Sequence, residues 1–230
     1  FVVGDLHGKV EIAEKMIALA DPDTRIVFLG DYLDSFDRTA LDCVNTLMVV
    51  LEAIRAEKNV VALFGNHELS YLMDSMRCSG FNPATSAHVQ HLKTEMNRYF
   101  RDFYWIGDRT LVTHAGITAK FDMSSVGDEE QELRTINMVL AEPGYRYAIG
   151  YTRGGACDFG GPFWCDWRYE FVPFEHVSQI MGHTRTGTVI QIKGDNSYCI
   201  DCLETEIEEN QEVLLVHEDE RKEAIGLSDL

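Results

Sequence analysis

Seven side chains able to hold a metal or move a proton sit where apolar runs end: Asp5 and His7 in "VVGDLHG", Asp31 in "FLGDYLD", Asn66 and His67 in "LFGNHE", His114 in "VTHAG" and His183 in "IMGHTRTG". Imidazole mixed with carboxylate suits borderline first-row cations such as manganese, iron or zinc, whereas an all-oxygen set would suit magnesium or calcium. One Asp with two free oxygens can bridge two cations about 3.5 to 4 Å apart, the spacing of two-metal hydrolases. Singly, each break has an ordinary explanation. Gly-Asp after a strand is a common turn, and a core His is more often hydrogen-bonded than a ligand. Five breaks of one kind argue for a shared site, because burying these groups together without a cation leaves uncompensated charge in a low dielectric.

Strand tips are where loops gather in open α/β architecture, so the elements must be strands alternating with helices. "FVVGD" precedes "VEIAEKMIALA", in which Val10, Ala13, Ile17 and Ala20 recur at helical spacing. "RIVFLGD" reads as a buried strand and "TALDCVNTLMVVLEAIRAEK" as a helix capped by Thr39, with Leu41, Val44, Met48, Leu51 and Arg55 marking one face. "NVVALFGNHE" is a third strand; helix follows through "LSYLMDSM" and, after a loop at 79–86, through "SAHVQHLKTEMNRYFRDFY". The second half predicts strands at "RTLVTHAGI" and "VSQIMGHTRTG", separated by a helix at "DEEQELRTINMVLAE" and an aromatic loop, "YTRGGACDFGGPFWCDWRY". A hairpin turning at Gly194-Asp195-Asn196 is expected within "TVIQIKGDNSYCIDCL", then a strand at "EVLLV" and a peripheral helix or tail at 217–230.

At 230 residues, 45% hydrophobic and 25% charged, the chain can bury one large core, so a single domain over 1–230 is expected. No run approaches the roughly 18 apolar residues of a membrane span, and no signal-peptide pattern opens the chain, which predicts a cytoplasmic protein without membrane partners. The net charge of −18 repels nucleic-acid phosphates and argues against general nucleic-acid binding. An anionic substrate would need positive charge from elsewhere, which bound cations would supply. The six cysteines are read as reduced thiols; "CIDC" at 199–202 is either a pair of buried strand cysteines or a redox or metal motif. His88 and His91 are a solvated helix face or a zinc pair.

"GDLHG", "GDYLD", "GNHE", "HAG" and "GHT", in that order over residues 4–184, resemble the calcineurin-like metallophosphoesterase superfamily, in its phosphoprotein-phosphatase-like branch. The resemblance implies a four-layer αββα sandwich of two mixed sheets flanked by helices. It implies two divalent transition-metal ions, manganese or else iron or zinc. Asp5 and His7 would hold the first, Asp31 would bridge both, and Asn66, His114 and His183 would complete the second. It casts His67 as the general acid, with a seventh metal ligand as the alternative, and Asp34 as the carboxylate that orients it. The implied reaction is in-line attack on phosphorus by a metal-bridging hydroxide, without a covalent intermediate.

The chain departs from the family pattern where an Arg should follow the second Asp: Ser35 stands there, and Arg38 lies downstream as a phosphate-binding candidate or a surface residue. "FWCDWRY" resembles the family's Trp-containing stretch and makes Arg168 a second candidate, in competition with Arg153 and Arg185; aromatic packing alone would also explain that loop. The implied substrate is a phosphomonoester, a phosphorylated protein in the manner of serine/threonine phosphatases. "MGHTRTG" resembles small bacterial and phage-type members and supports the alternative of a symmetrical dinucleoside tetraphosphatase or other nucleotide hydrolase. A non-catalytic scaffold is the third alternative, and the complete set of ligands and acid argues against it.

Overall fold

The apolar runs become short buried strands in a computed structural model, which describes residues 1–187, 190–203 and 211–230. The strands form two mixed sheets flanked by helices, the α/β class expected. Chain contacts divide into two compact units, Phe1–Arg101 and Asp102–Leu230.

In the first unit β1 (Val2–Val3), β2 (Ile26–Phe28) and β3 (Val60–Ala62) pair in parallel in that order, with Val3 opposite Phe28 and Phe28 opposite Ala62. A parallel sheet is covered on both faces, which is why β1 and β2 are apolar and buried throughout. Parallel pairing sends the residues after all three strands out at the same edge, and Asp5, Asp31 and Asn66 follow those three strands. The helices are α1 (Val10–Ala18), α2 (Ala40–Arg55), α3 (Asn66–Leu72) and α4 (Pro83–Tyr99), with α2 packed against both α1 and α4.

Thr39 caps α2 as expected, in a reciprocal box: its hydroxyl accepts from Asp42 N at 3.2 Å and the Asp42 carboxylate accepts from Thr39 N at 2.9 Å. The buried stripe of α2 is rotated from the expected one. Cys43, Val44, Leu47, Val50 and Leu51 face inward while Leu41 is 61% exposed. The fourth helix begins before the expected loop ends, because Asn82 caps it, accepting from Ala84 N at 2.9 Å, and Pro83 suits its first turn.

The second unit holds β4 (Phe103–Ile106), β5 (Thr110–Thr113), β6 (Ser178–Met181), β7 (Gln191–Lys193) and β8 (Ser197–Cys199) in the order β4-β5-β6-β8-β7. β5, β6 and β8 run parallel, and β4 and β7 are antiparallel to their neighbours. Phe103 and Tyr104, grouped with the preceding helix on sequence, begin strand β4 instead: the chain turns extended at Phe100 (ψ 154) and pairs with the next apolar run. α5 (Glu129–Ala141) contributes Ile136, Val139 and Leu140 to a core with Leu111, Phe174 and Val177, and a short α6 (Pro143–Arg146) follows.

The expected turn at Gly194-Asp195-Asn196 joins β7 to β8, while Thr188 and Val189 of that reading lie outside the described residues. β9 (Glu212–Val216) matches the expected last strand, and residues 204–210 of the acidic run before it are likewise outside the described residues. The terminal segment corrects the helix-or-tail expectation: β10 (Lys222–Gly226) pairs antiparallel with β9, Lys222 opposite Val216 and Gly226 opposite Glu212. A turn closed by His217 N donating to Arg221 O at 2.9 Å makes the hairpin, and its run of charges masked the pairing. No helix among the described residues is long and apolar enough to cross a membrane.

Candidate functional site

In the first unit, backbone bonds lock the loops after the strands together. Leu6 N and His7 N both donate to Asp31 O, at 3.1 and 2.7 Å, and Gly8 N donates to Tyr32 O at 3.0 Å. Glu68, fully buried, accepts four backbone N–H groups: Asp31 at 2.7 Å, Tyr32 at 2.9 Å, Gly65 at 3.0 Å and Leu33 at 3.1 Å. Burial pushes its carboxyl pKa up, against the N–H groups and His67, which pull it down. Glu68 lies within "GNHE" and has no role in the sequence-based expectation, because a carboxylate in the first turn of a short helix reads as solvent-facing. Two glycines are required at the closest approach. A Cβ on Gly65 would collide with the Asp31 carboxylate, and one on Gly30, at φ 105, with the backbone of Gly65.

These bonds hold His7, Asp31 and Asp34 in left-handed backbone, at φ 42, 49 and 56. Such conformations are uncommon for residues with a Cβ and persist where the surroundings over-determine them. His7 places Nδ1 2.6 Å from the carbonyl oxygen of Asp34 and 3.1 Å from that of Leu33, so Nδ1 carries the proton and Nε2 carries the lone pair. Nε2 lies 3.7 Å from Asp31 Oδ2. That gap is too long for a hydrogen bond and lies within the span that two atoms can have when both bind one cation through bonds of about 2.1 Å. Asp5 and Asn66 are buried, Asn66 as the first residue of α3.

His67 donates its backbone N–H to Asp31 Oδ1 at 3.0 Å and sets Nδ1 2.9 Å from Asp34 Oδ2. Its Nε2 is 3.9 Å from Asp31 Oδ2, and its ring meets that of His7 edge-on at 5.1 Å. Burial works against the imidazolium, but the Asp31 charge and the bonds to Asp34 and Cys78 outweigh it and raise the pKa well above the usual histidine range. Two further partners were not anticipated. The Tyr71 hydroxyl donates to Asp34 Oδ1, and the Cys78 Sγ lies 3.5 Å from His67 Nδ1.

In the second unit His114 ends β5's run and His183 follows β6, with Nε2 of the first 3.2 Å from Nδ1 of the second. His183 is also left-handed, at φ 65, and the Trp164 ring stands edge-on to it at 5.8 Å. Arg153 joins Asp166 Oδ2 at 3.0 Å to Thr184 Oγ1 at 2.7 Å, beside His183. Asp166 and Thr184 had no expected role. Arg168 donates to the Arg185 carbonyl, and in the first unit Arg38 pairs with Glu11 at 2.6 Å on a half-exposed surface. The thiols of "CIDC" donate to separate carbonyls, Cys199 to Thr184 O at 3.3 Å and Cys202 to Glu212 O at 3.3 Å, and both are buried, Cys199 at the end of β8 and Cys202 in the segment after it. His88 and His91 are exposed on α4.

The family model described as calcineurin-like phosphoesterase matches residues 1–185. Among solved structures, a cold-active protein tyrosine phosphatase aligns with TM-score 0.59 at 16% identity over 97% of this chain and 77% of that one. A cold-active protein-tyrosine phosphatase of a psychrophilic Shewanella species gives 0.54 at 16% identity over 97% and 78%. A protein serine/threonine phosphatase from Saccharomyces cerevisiae gives 0.49 at 17% identity over 86% and 65%.

Proposed function

We propose a specific reaction for a chain that belongs to the calcineurin-like phosphoesterase family: hydrolysis of a phosphomonoester, in the manner of protein phosphatases, with His67 as the acid that protonates the leaving group. The protein is a phosphoester hydrolase. The family model crosses the boundary at Arg101, which supports one metallophosphoesterase domain over residues 1–230.

The proposed ligands are those that the motif resemblance implies: Asp5, His7, Asp31, Asn66, His114 and His183. Two observations support them. His7 binds backbone carbonyls through Nδ1, which turns Nε2 toward Asp31, and the His114 and His183 nitrogens face each other at a distance suited to a shared ion. A pair of divalent ions held there, manganese in this proposal, would supply Lewis acidity and lower the pKa of bound water.

The remaining chemistry belongs to the chain. Asp34 accepts the Nδ1 proton of His67, fixing the tautomer and orientation that direct Nε2–H away from the carboxylate. The proton held at Nε2 passes to the departing oxygen as the ester bond breaks. Asp34 stabilises the imidazolium before transfer, and the Tyr71 hydroxyl holds the other Asp34 oxygen so that the carboxylate does not rotate. Arg38 and Arg168 remain the proposed phosphate contacts, with Arg153 competing.

The observation that carries the reading is the His67–Asp34 pair set beside Asp31. The test is turnover with manganese of p-nitrophenyl phosphate, its bis-ester, phosphoserine and phosphotyrosine peptides, and diadenosine tetraphosphate. Preference for the monoesters is expected, and Asp31→Asn should lose manganese and turnover together. Preference for the tetraphosphate would replace the substrate assignment, and metal-independent turnover would refute the mechanism.

A further inference from the structure

We propose that Asp34, His67 and Cys78 form a separate site for a thiophilic divalent ion of the zinc class, and that filling it disables the acid. One ligand atom from each of the three lies within 4.8 Å of the others. Cys78 belongs to the loop that crosses between α3 and α4, and that loop is fitted to the pair. Gly80 lies against Asp34, where a Cβ would be 3.1 Å from that of the aspartate; Phe81 stacks on Tyr71 at 4.8 Å; and Asn82 N donates to the Tyr71 hydroxyl at 2.9 Å. Because Tyr71 occupies Oδ1 of Asp34, Oδ2 is the oxygen presented to His67.

The spacing suits tetrahedral zinc. Bonds of about 2.3 Å to sulfur and about 2.0–2.1 Å to nitrogen and oxygen place S and N about 3.5 Å apart and N and O about 3.3 Å apart. The Cys78 Sγ to His67 Nδ1 distance is 3.5 Å, and Nδ1 to Asp34 Oδ2 is 2.9 Å, which opens by a few tenths of an ångström once the proton between them is gone. His67 and Cys78 are both partly exposed, so an ion reaches them from solvent and a water completes the fourth position. The thiolate sets this site apart from the oxygen and imidazole donors assigned to the catalytic ions, and thiolate selects zinc over manganese.

Binding releases the thiol proton and the Nδ1 proton to solvent and replaces the Asp34–His67 hydrogen bond with metal bonds. The imidazole is then a ligand and no longer a proton donor paired with a carboxylate. The inhibitory consequence rests on His67 being the acid; the existence of the site does not.

The test has two arms. In the chelator-treated full chain titrated with cobalt(II), a thiolate-to-cobalt charge-transfer band in the near ultraviolet is expected, retained in Cys157→Ala and lost in Cys78→Ala. In the manganese-loaded enzyme assayed with phenyl phosphate at buffered free zinc, with each variant referred to its own zinc-free rate, half-inhibition of the wild type is expected at roughly tenfold lower zinc, or less, than that of Cys78→Ala. No Cys78-dependent band overturns the site. Equal zinc sensitivity overturns the inhibition and assigns it to exchange at the catalytic ions. Failure of manganese to support turnover would refute the proposed reaction, while the cobalt arm would still decide the site.

Discussion

Replacing Glu68 by glutamine tests whether one buried carboxylate holds the catalytic loops. Each oxygen receives two backbone N–H groups, Oε1 from Tyr32 and Leu33 and Oε2 from Asp31 and Gly65. An amide turned either way therefore presents NH2 to two of the four donors. Each stranded buried donor costs about 1–3 kcal/mol, so the pair costs about 2–6 kcal/mol. That is a large share of the roughly 5–15 kcal/mol that an ordinary domain has in total. With about 2–4 °C per kcal/mol for a chain of this size, the melting temperature should fall by roughly 10 °C. Urea unfolding of the metal-free protein measures the loss without the contribution of bound ions. Manganese affinity, measured separately, should fall with it, because Asp31 N is one of the four donors. The control is Glu11→Gln, whose half-exposed pair with Arg38 should be worth less than about 1 kcal/mol. A Glu68→Gln midpoint equivalent to within about 0.5 kcal/mol of the wild type, the range of an ordinary surface substitution, would refute the reasoning.

His67→Asn should keep its manganese and slow phenyl phosphate more than p-nitrophenyl phosphate, since a good leaving group hardly needs a proton; equal slowing in steady-state assays would remove the acid role. Gly65→Ala should lower manganese affinity measured by calorimetry, because its methyl group would displace the Asp31 carboxylate; unchanged affinity would show that the loops give way freely. Thr39→Ala breaks the capping box of α2 and should lower stability by about 1 kcal/mol in urea titrations with turnover per folded molecule unchanged.

The first unit's strand–helix rhythm was legible because fully buried strands and amphipathic helices leave different periods in the chain. Errors fell where a local rule was outvoted. Leu41 fits a helical stripe on paper but starts α2 in solvent, and the stripe that packs is set by the neighbours of Cys43 and Leu47. Residues 217–230 carry so many charges that their alternation read as a tail, although β9 offers them a complete antiparallel partner. At the candidate site, chemistry-bearing types at strand ends singled out Asp5, His7, Asp31, Asn66, His67, His114 and His183 as candidates, because their signal lies in residue type and position. Tyr71 and Cys78 were not identifiable, because their contacts depend on how the loop before α4 folds back over Asp34 and His67.

A buried glutamate contributes to holding the first unit's left-handed backbone. Among the described residues, six non-glycine positions have positive φ, and four of them are His7, Asp31, Asp34 and His183. Each such position costs on the order of 1–3 kcal/mol and needs surroundings that leave no alternative. In the first unit Glu68 supplies them by fixing Asp31, Tyr32 and Leu33 through their N–H groups. The second unit also ties loops with buried carboxylates, at segments other than the left-handed His183. Glu132 gathers Gly127 N, Glu175 N, His176 N and Val177 N at 2.8–3.2 Å just ahead of β6, and Glu170 accepts Gly160 N at 2.8 Å and Asp166 N at 3.1 Å. A carboxylate suits this work because two oxygens accept several N–H groups at once from segments distant in sequence, which no apolar core residue can do. The same property hides such residues from sequence patterns: on a helical wheel Glu68 and Glu132 look like solvent-facing charges, Glu170 looks like an ordinary loop charge, and only the segments that close over them give them a different role.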